Sequence, residues 1–489
     1  MNILLLVSVL FPFVAALATL GIKNFSDRGF RQKYVGAVLV VNILLEVAAL
    51  VTGGQMVLFK ITEKLVVLLK VDSLSMLFGG LVAAMWLLSG IFSFEYMKHE
   101  ENNERYYLFF LLTLGALNGL GFAGNYLTLY LCFEAMTLLS FPLVLHSGTP
   151  EATAAAIKYL FYSIFGASLG LIGFFFANNY CDTIEFLPGG SLNLATVGDN
   201  KGLLLVIVFL AVMGFGAKAG MFPLHAWLPT GHPVAPAPAS AVLSGVITKA
   251  GVLAICRVVF FTFGADFIRG TWVQYTWMGL TLLTVFMGSM LAFKEDLLKK
   301  RLAYSSVSQV SYVLFGLSTL TVTGMTGSFL HVIGHSVVKD MLFMCAGAII
   351  YKTHFTYVHE LKGIGKRMPI VMWCWTIGGL SLVGVPPCAG FISKWFLATG
   401  SLETGIPVFS WLGPVVLLTS AFLTAGYLIT VSISAFLPGA DFDYSTVQSA
   451  EPNKFMTIPL IILAVLAVVL GMFATPFVNF FNGIANTLL

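Results

Sequence analysis

Charge is what this sequence has least of. Aspartate, glutamate, lysine and arginine make up 10% of the 489 residues, against about a quarter in a soluble chain. With 58% hydrophobic residues and a mean hydropathy of +0.92, that scarcity excludes a water-soluble globule. The net charge of +4 is small and dispersed over short loops, which excludes nucleic acid as a partner. Cysteine is sparse too. Cys132, Cys181, Cys256, Cys345, Cys374 and Cys388 show no Cys-x-x-Cys spacing and lie mostly in apolar runs, so ligands for an iron–sulfur cluster and a disulfide framework are both missing. The glycines of GFGAKAG, 214–220, lack dinucleotide spacing and sit inside an apolar run. No cofactor or metal is therefore expected, nor any redox or hydrolytic site. The first apolar run has no basic residue before it and a basic loop, 23–33, after it. This is the reverse of a signal peptide, and the run is expected to stay as a membrane anchor.

What is abundant is apolar sequence in lengths that match a bilayer, roughly 17–25 residues. Fourteen such windows run from 3–20 to 458–473, so the expected fold is all-α and polytopic. Short cytoplasmic loops favour lysine and arginine, and the basic residues cluster at 23–33, 98–105, 294–301 and 352–367, on every second side. Both termini are thus expected outside the membrane of a prokaryotic cell. The stretch 55–71 fits least well, because Lys60, Lys64 and Lys70 fall on the outer side.

Four lysines remain inside the windows: Lys218, Lys249, Lys339 and Lys394, with Glu134 deep in the fifth window and Glu46 and Asp340 as further intramembrane acids. Each ionisable group at the bilayer centre costs roughly 2.5–3.5 kcal/mol, so the set carries a penalty that ion pairs alone do not explain, since the lysines outnumber nearby acids. A proton relay does explain it: burial makes the charged form of lysine expensive enough to be gained and lost in turnover. A carboxylate at about 4 Å would hold a charged lysine by roughly 4 kcal/mol. Moving one charge against 100 mV takes about 2.3 kcal/mol, so making and breaking such a pair has the right size. Glu134 with Lys218 is the candidate switch pair.

His331, His335 and Lys339 recur at i, i+4 and i+8, which lines one helix face with titratable groups. His-x-x-x-His also suits a metal, but no cysteine or acid completes a site. Pro223 follows Lys218 by five residues, while Pro386 and Pro387 precede Lys394 in an apolar run. Each proline removes a helical hydrogen bond, and freed backbone in a membrane is tolerated where it is buried in protein or lines a wet cavity. Lysine beside a break suits a midplane ion site. Windows four to eight and nine to thirteen then read as two inverted five-helix units, each with a broken fourth helix. The expected divisions are a three-helix segment at 1–106, repeats at 107–262 and 271–437, and a final helix within 455–489.

With these residues in view, the chain resembles the antiporter-like subunits of respiratory complex I, Mrp cation/proton antiporters (their D-type subunit) and energy-converting membrane hydrogenases. The stretches that carry the resemblance are AKAGMFPLHAWLPTGHPVAPAPASAVLSGVITKAGVLAICR (217–257), LCFEAMTLLSFPLVLH (131–146), HVIGHSVVKDMLFMCAG (331–347) and GVPPCAGFISKWFL (384–397). The resemblance implies a fourteen-helix fold with two inverted repeats, Glu134 partnering Lys218, Lys249 as central relay, His331, His335 and Lys339 continuing it, and Lys394 facing the exit. Asp340 departs from the family pattern and is expected to hold Lys339 charged. Lysine at 394 resembles the distal subunit of complex I, yet the chain stops soon after window fourteen, without that subunit's lateral helix; this favours a hydrogenase-type complex or an Mrp assembly. Expected partners are other membrane subunits, including further antiporter-like ones, the translocated H+ and Na+, and lipid. A quinone-reactive NADH dehydrogenase subunit is the alternative from another class, and a solitary Na+/H+ exchanger a third.

Overall fold

The computed structural model describes residues 2–62, 65–446 and 450–489; Lys64 lies outside them. Each of the fourteen apolar windows contains helix, two of them, 203–227 and 370–398, with a break inside, and among the described residues ten helices are long and apolar enough to cross a membrane. The first four are α1 (Ile3–Ala18), α2 (Arg28–Thr52), α3 (Ser73–Tyr96) and α4 (Asn103–Gly121). Next come α5 (Tyr126–Val144), α6 (Pro150–Tyr180), α7 (Lys201–Ala219), the short α8 (Leu228–Val234) and α9 (Ala237–Phe263). Then follow α10 (Trp272–Lys294), α11 (Leu298–Ser318), α12 (Val322–Thr353), α13 (Pro369–Val383), α14 (Ala389–Leu402) and α15 (Pro407–Phe436). The last two are α16 (Lys454–Met472) and α17 (Thr475–Leu488).

Three features differ from the sequence expectation. The outer stretch at 55–71 is a β-hairpin, β1 (Gln55–Lys60) paired antiparallel with β2 (Val66–Lys70). Its valine and leucine run favours an extended chain, and its edge is closed by α4 and α5: Lys70 N donates to Phe122 O and Leu68 N to Thr128 Oγ1. The C-terminal part holds two helices, because Pro476 sits in the first turn of α17, where proline is tolerated. The helix in window 203–227 ends earlier than its proline: Gly220, at φ +83°, terminates α7, and Pro223 lies in the turns beyond. Gly384, at φ +96°, ends α13 in the same way, with Pro386 and Pro387 in the gap before α14. Glycine adopts this backbone without steric penalty.

At the centre lie α9 and α12, buried by protein on nearly all sides. α12 packs against α3, α9, α11, α13, α14, α16 and α17. α11 is poor in apolar residues, but its Ser305, Ser306, Ser308, Gln309 and Ser311 are wholly buried, so its polar side faces protein rather than lipid. Small residues bring helices into contact, as expected where lipid removes the hydrophobic drive to associate. A Cβ at Gly166 of α6 would collide with Gly214 O of α7, and one at Gly327 of α12 would lie 2.8 Å from Leu397 N of α14. The first three helices are tied to α9 by Ser89, which donates to Pro238 O at 2.8 Å, and by a bidentate pair between Arg257 and Asp72.

Candidate functional site

Both breaks and the middle of α9 hold a lysine. Lys218, the penultimate residue of α7, is 1% exposed. Its Nζ donates to Tyr159 OH at 2.6 Å, Thr137 Oγ1 at 2.9 Å and Ser163 Oγ at 3.2 Å. The Tyr159 ring lies 4.3 Å from the ammonium. Tyr159, Ser163 and Gly166 recur at helical spacing on α6, so the glycine that admits α7 also sets the distance to these hydroxyls. Gly166→Ala is therefore expected to force α6 off α7, destabilise the protein by about 1–3 kcal/mol and loosen the Lys218 cradle. Lower thermal stability of the purified variant checks this, and wild-type stability would contradict it.

Glu134 stands on α5, one turn before Thr137, but makes no ion pair with Lys218; its Oε1 accepts from Tyr130 OH at 3.4 Å. The structure thus presents the two groups of the candidate switch apart, with hydroxyls in place of the carboxylate.

Lys249 follows a π-helical turn, Leu243–Ile247, within α9. Within that turn Ser244 O accepts from Lys249 Nζ at 2.6 Å and from Thr248 Oγ1 at 2.8 Å. On its other side Nζ lies 2.7 Å from His335 Nδ1 of α12. His335 stacks on His331, ring centres 5.9 Å apart, and its Nε2 has no partner among the described residues. His331 Nδ1 lies 2.9 Å from Ser393 Oγ of α14, while Nε2 lies 3.2 Å from Gln309 Oε1. Tyr312 stacks on His331 and places its ring 4.8 Å from Lys394 Nζ. Lys394, partly exposed, donates to Leu382 O at 2.6 Å and Val383 O at 3.1 Å, the carbonyls that the break at Gly384 leaves open. Lys249 and His335 are thus hydrogen-bonded, and ring contacts through His331 and Tyr312 continue the row to Lys394; Lys218 makes no hydrogen bond to any of its members. A cavity of about 20 Å³ beside Lys249 is lined almost wholly by apolar groups, among them Leu74, Phe78, Phe329 and Val332.

Lys339 lies on α12 next to the row, its Nζ donating to Leu302 O at 3.0 Å. Asp340 does not pair with it, which corrects the sequence expectation. Neighbouring helical residues point about 100° apart and do not face each other. The Asp340 carboxyl turns instead to the π-helical turn of α9, so close that a Cβ on Gly245 would collide with Oδ1. Neither Asp340 oxygen has a hydrogen-bond donor among the described residues.

Sequence reasoning missed the uncharged members, Thr137, Tyr159, Ser163, Gln309, Tyr312 and Ser393. It also missed His232, which is 1% exposed, stacks on Phe343 at 4.6 Å and has both ring nitrogens unpartnered among the described residues. The available signal was the density of serine, threonine and glutamine within apolar windows, greatest in α11. Near His232, a cavity of about 190 Å³ opens among Glu100, Ser147, Pro233, Lys299 and Thr356.

A polytopic helical protein with a lysine at each of two helix breaks is the architecture of an antiporter-like membrane subunit. The family model described as "NADH:quinone oxidoreductase/Mrp antiporter, TM" matches residues 123–424, and "NADH-Ubiquinone oxidoreductase (complex I), chain 5 N-terminus" matches 62–107. The chain belongs to this NADH:quinone oxidoreductase/Mrp antiporter family. It is 32% identical over 418 residues to the N subunit of the NADH-quinone oxidoreductase of Desulforudis audaxviator, covering 81% of this chain and 80% of that protein. To the D-type subunit of the Na(+)/H(+) antiporter of Bacillus subtilis it is 30% identical over 371 residues, 76% and 73% of the two chains. To hydrogenase-4 component B of Escherichia coli it is 29% identical over 83% of this chain and 62% of that one. Among solved structures, a chain of the archaeal membrane-bound sulfane sulfur reductase superposes with a TM-score of 0.86 at 23% identity, covering 100% of this chain and 98% of the other. A chain of the Dietzia Mrp complex gives 0.84 at 21% identity, with the same two coverages. The chain is an integral membrane protein with an all-α fold, similar to antiporter-like subunits of complex I, hydrogenases and Mrp antiporters.

Proposed function

We propose that the chain translocates protons along Glu134, Lys218, Lys249, His335, His331 and Lys394, with Lys339 beside the row, as the ion-pumping subunit of a larger redox-driven complex of the energy-converting hydrogenase or complex I type. The single observation that carries this is the polar row from Lys249 to Lys394, built from groups that gain and lose protons, with the Ser393 hydroxyl and the Gln309 amide at His331 and the Tyr312 ring between His331 and Lys394. The cavity at Glu100 and Lys299, beside His232, offers an entrance from the basic-loop side. Lys218 and Lys394 serve as the stations at the two breaks, where Gly220 and Gly384 end the helices and Pro223, Pro386 and Pro387 lie in the gaps beyond. The two units at 107–262 and 271–437 act as inverted half-channels, framed by 1–106 and 455–489, with both termini outside. Other antiporter-like subunits are the natural neighbours of the exposed apolar helix faces.

An Mrp-type Na+/H+ antiporter subunit is the second reading, favoured by the similarity to the Bacillus subtilis antiporter. The test uses inverted vesicles containing the complete complex. Lys218→Ala is expected to reduce the pH gradient formed on donor oxidation at least tenfold while oxidation itself continues. Unchanged gradients in both Lys218→Ala and Glu134→Ala would overturn the relay. A gradient driven by Na+ alone, without an electron donor, would establish the antiporter reading instead.

A further inference from the structure

The N-terminal helices hold a second buried polar cluster that the lysine row does not use. Glu46 of α2 is 0% exposed, and Asn42 on the same helix and Asn118 of α4 are 1% exposed. None of the ion pairs among the described residues involves Glu46. A buried carboxylate without a countercharge is costly, so something must neutralise it.

The hydrogen bonds show what is missing. Asn118 Nδ2 donates to Asn42 Oδ1 at 2.9 Å and to the backbone oxygen of Ser8 in α1 at 3.0 Å. Both partners only accept, which fixes the orientation of the amide and leaves Asn118 Oδ1 with no donor among the described residues. Asn42 Nδ2 reaches Glu46 Oε2 at 3.5 Å, a long contact, and Glu46 Oε1 has no donor among the described residues. The cluster therefore has more acceptors than donors, and its one acid has no countercharge. Beside it α3 carries Gly79, where a Cβ would lie 2.9 Å from Glu46 Oε1. The missing side chain keeps the carboxylate face open.

Oxygen ligands of this kind, one carboxylate with amide and backbone carbonyls, suit a hard cation. A single negative charge, with no second acid in the cluster, matches a monovalent ion. We propose that Glu46, Asn42, Asn118 and the Ser8 carbonyl form a binding site for a dehydrated alkali cation. It lies about 9 Å inside the hairpin-side end of α2, from the six residues between Glu46 and Thr52. Gly79 and Asn118 are within two turns of the corresponding ends of α3 and α4, and Ser8 is in the first half of α1. The site is separate from the lysine row and does not depend on its role.

The test reads Glu46 rather than pumping. Purified full-length chain is treated with a hydrophobic carbodiimide, which adds to protonated buried carboxyl groups, in NaCl, KCl or choline chloride at equal ionic strength. Adducts on the peptide containing Glu46 are then quantified. Sodium or potassium at ten times the dissociation constant is expected to slow the Glu46 adduct roughly tenfold relative to choline, by mass action. Whichever cation protects more is the preferred occupant. Gly79→Ala, which covers the carboxylate face and keeps the acid, is expected to lose that protection. Equal labelling in all three salts would mean a protonated acid or a water-filled cluster, and would overturn the site. Radioactive sodium binding provides an independent measure. One saturable equivalent lost in Glu46→Gln is expected, whereas the same binding in wild type and E46Q, or none in wild type, would also overturn it.

Discussion

Replacing His335 with leucine is expected to cut proton translocation about a hundredfold or more, the scale on which a positioned proton carrier contributes. His335 is the link between Lys249, 2.7 Å from its Nδ1, and the stacked ring of His331. Leucine keeps most of the volume and removes both nitrogens, so packing of α9 on α12 changes little while the row loses its middle member. Dye quenching in inverted vesicles, with donor oxidation recorded in parallel, separates lost translocation from lost electron input. Wild-type quenching in His335→Leu would show that protons do not pass this ring.

Arg257→Ala is expected to destabilise the protein by about 3–5 kcal/mol, the penalty for removing one partner of a buried pair. The Arg257 side chain is 0% exposed and makes a bidentate pair with Asp72, the N-cap of α3. Its guanidinium lies 4.7 Å from the Phe261 ring and 5.0 Å from Phe186. Lysine cannot reproduce the two parallel bonds, so Arg257→Lys should also lower stability. Burial alone would raise the Asp72 carboxyl, but Arg257 and Ser75 hold it below the ordinary aspartate value. A lowered folded value means the contribution is complete at neutral pH, begins to fall near about pH 3.9 and disappears as pH drops through the folded value. Thermal denaturation of detergent-solubilised variants measures both effects. Wild-type midpoints for Arg257→Ala would show that the pair does not clamp α3 to α9.

The helices were legible because a bilayer demands long apolar runs, and the ionisable residues stood out against them. The details that were not legible have physical causes. Proline marked both breaks, yet the helices end at Gly220 and Gly384, since positive φ rather than a missing amide stops them. The hairpin at 55–70 is short, and short apolar runs do not declare strand or helix by periodicity. The hydroxyl cradle of Lys218 was hidden because serine and threonine in membrane helices usually bond their own backbone. The pairing of Glu134 with Lys218 depends on distances between α5 and α7 that spacing along the chain does not encode. Asp340 adjoins Lys339 in sequence but faces another helix.

That placement of Asp340 against Gly245 binds two distant positions into one evolutionary choice. A lineage that keeps the acid in this orientation has no freedom at 245, because even a methyl group would occupy the carboxyl's space. Only after the aspartate is shortened or lost can the wide turn of α9 accept alanine or serine. Across relatives, substitutions at these two positions should therefore arrive in a fixed order, the helix that donates the acid changing first.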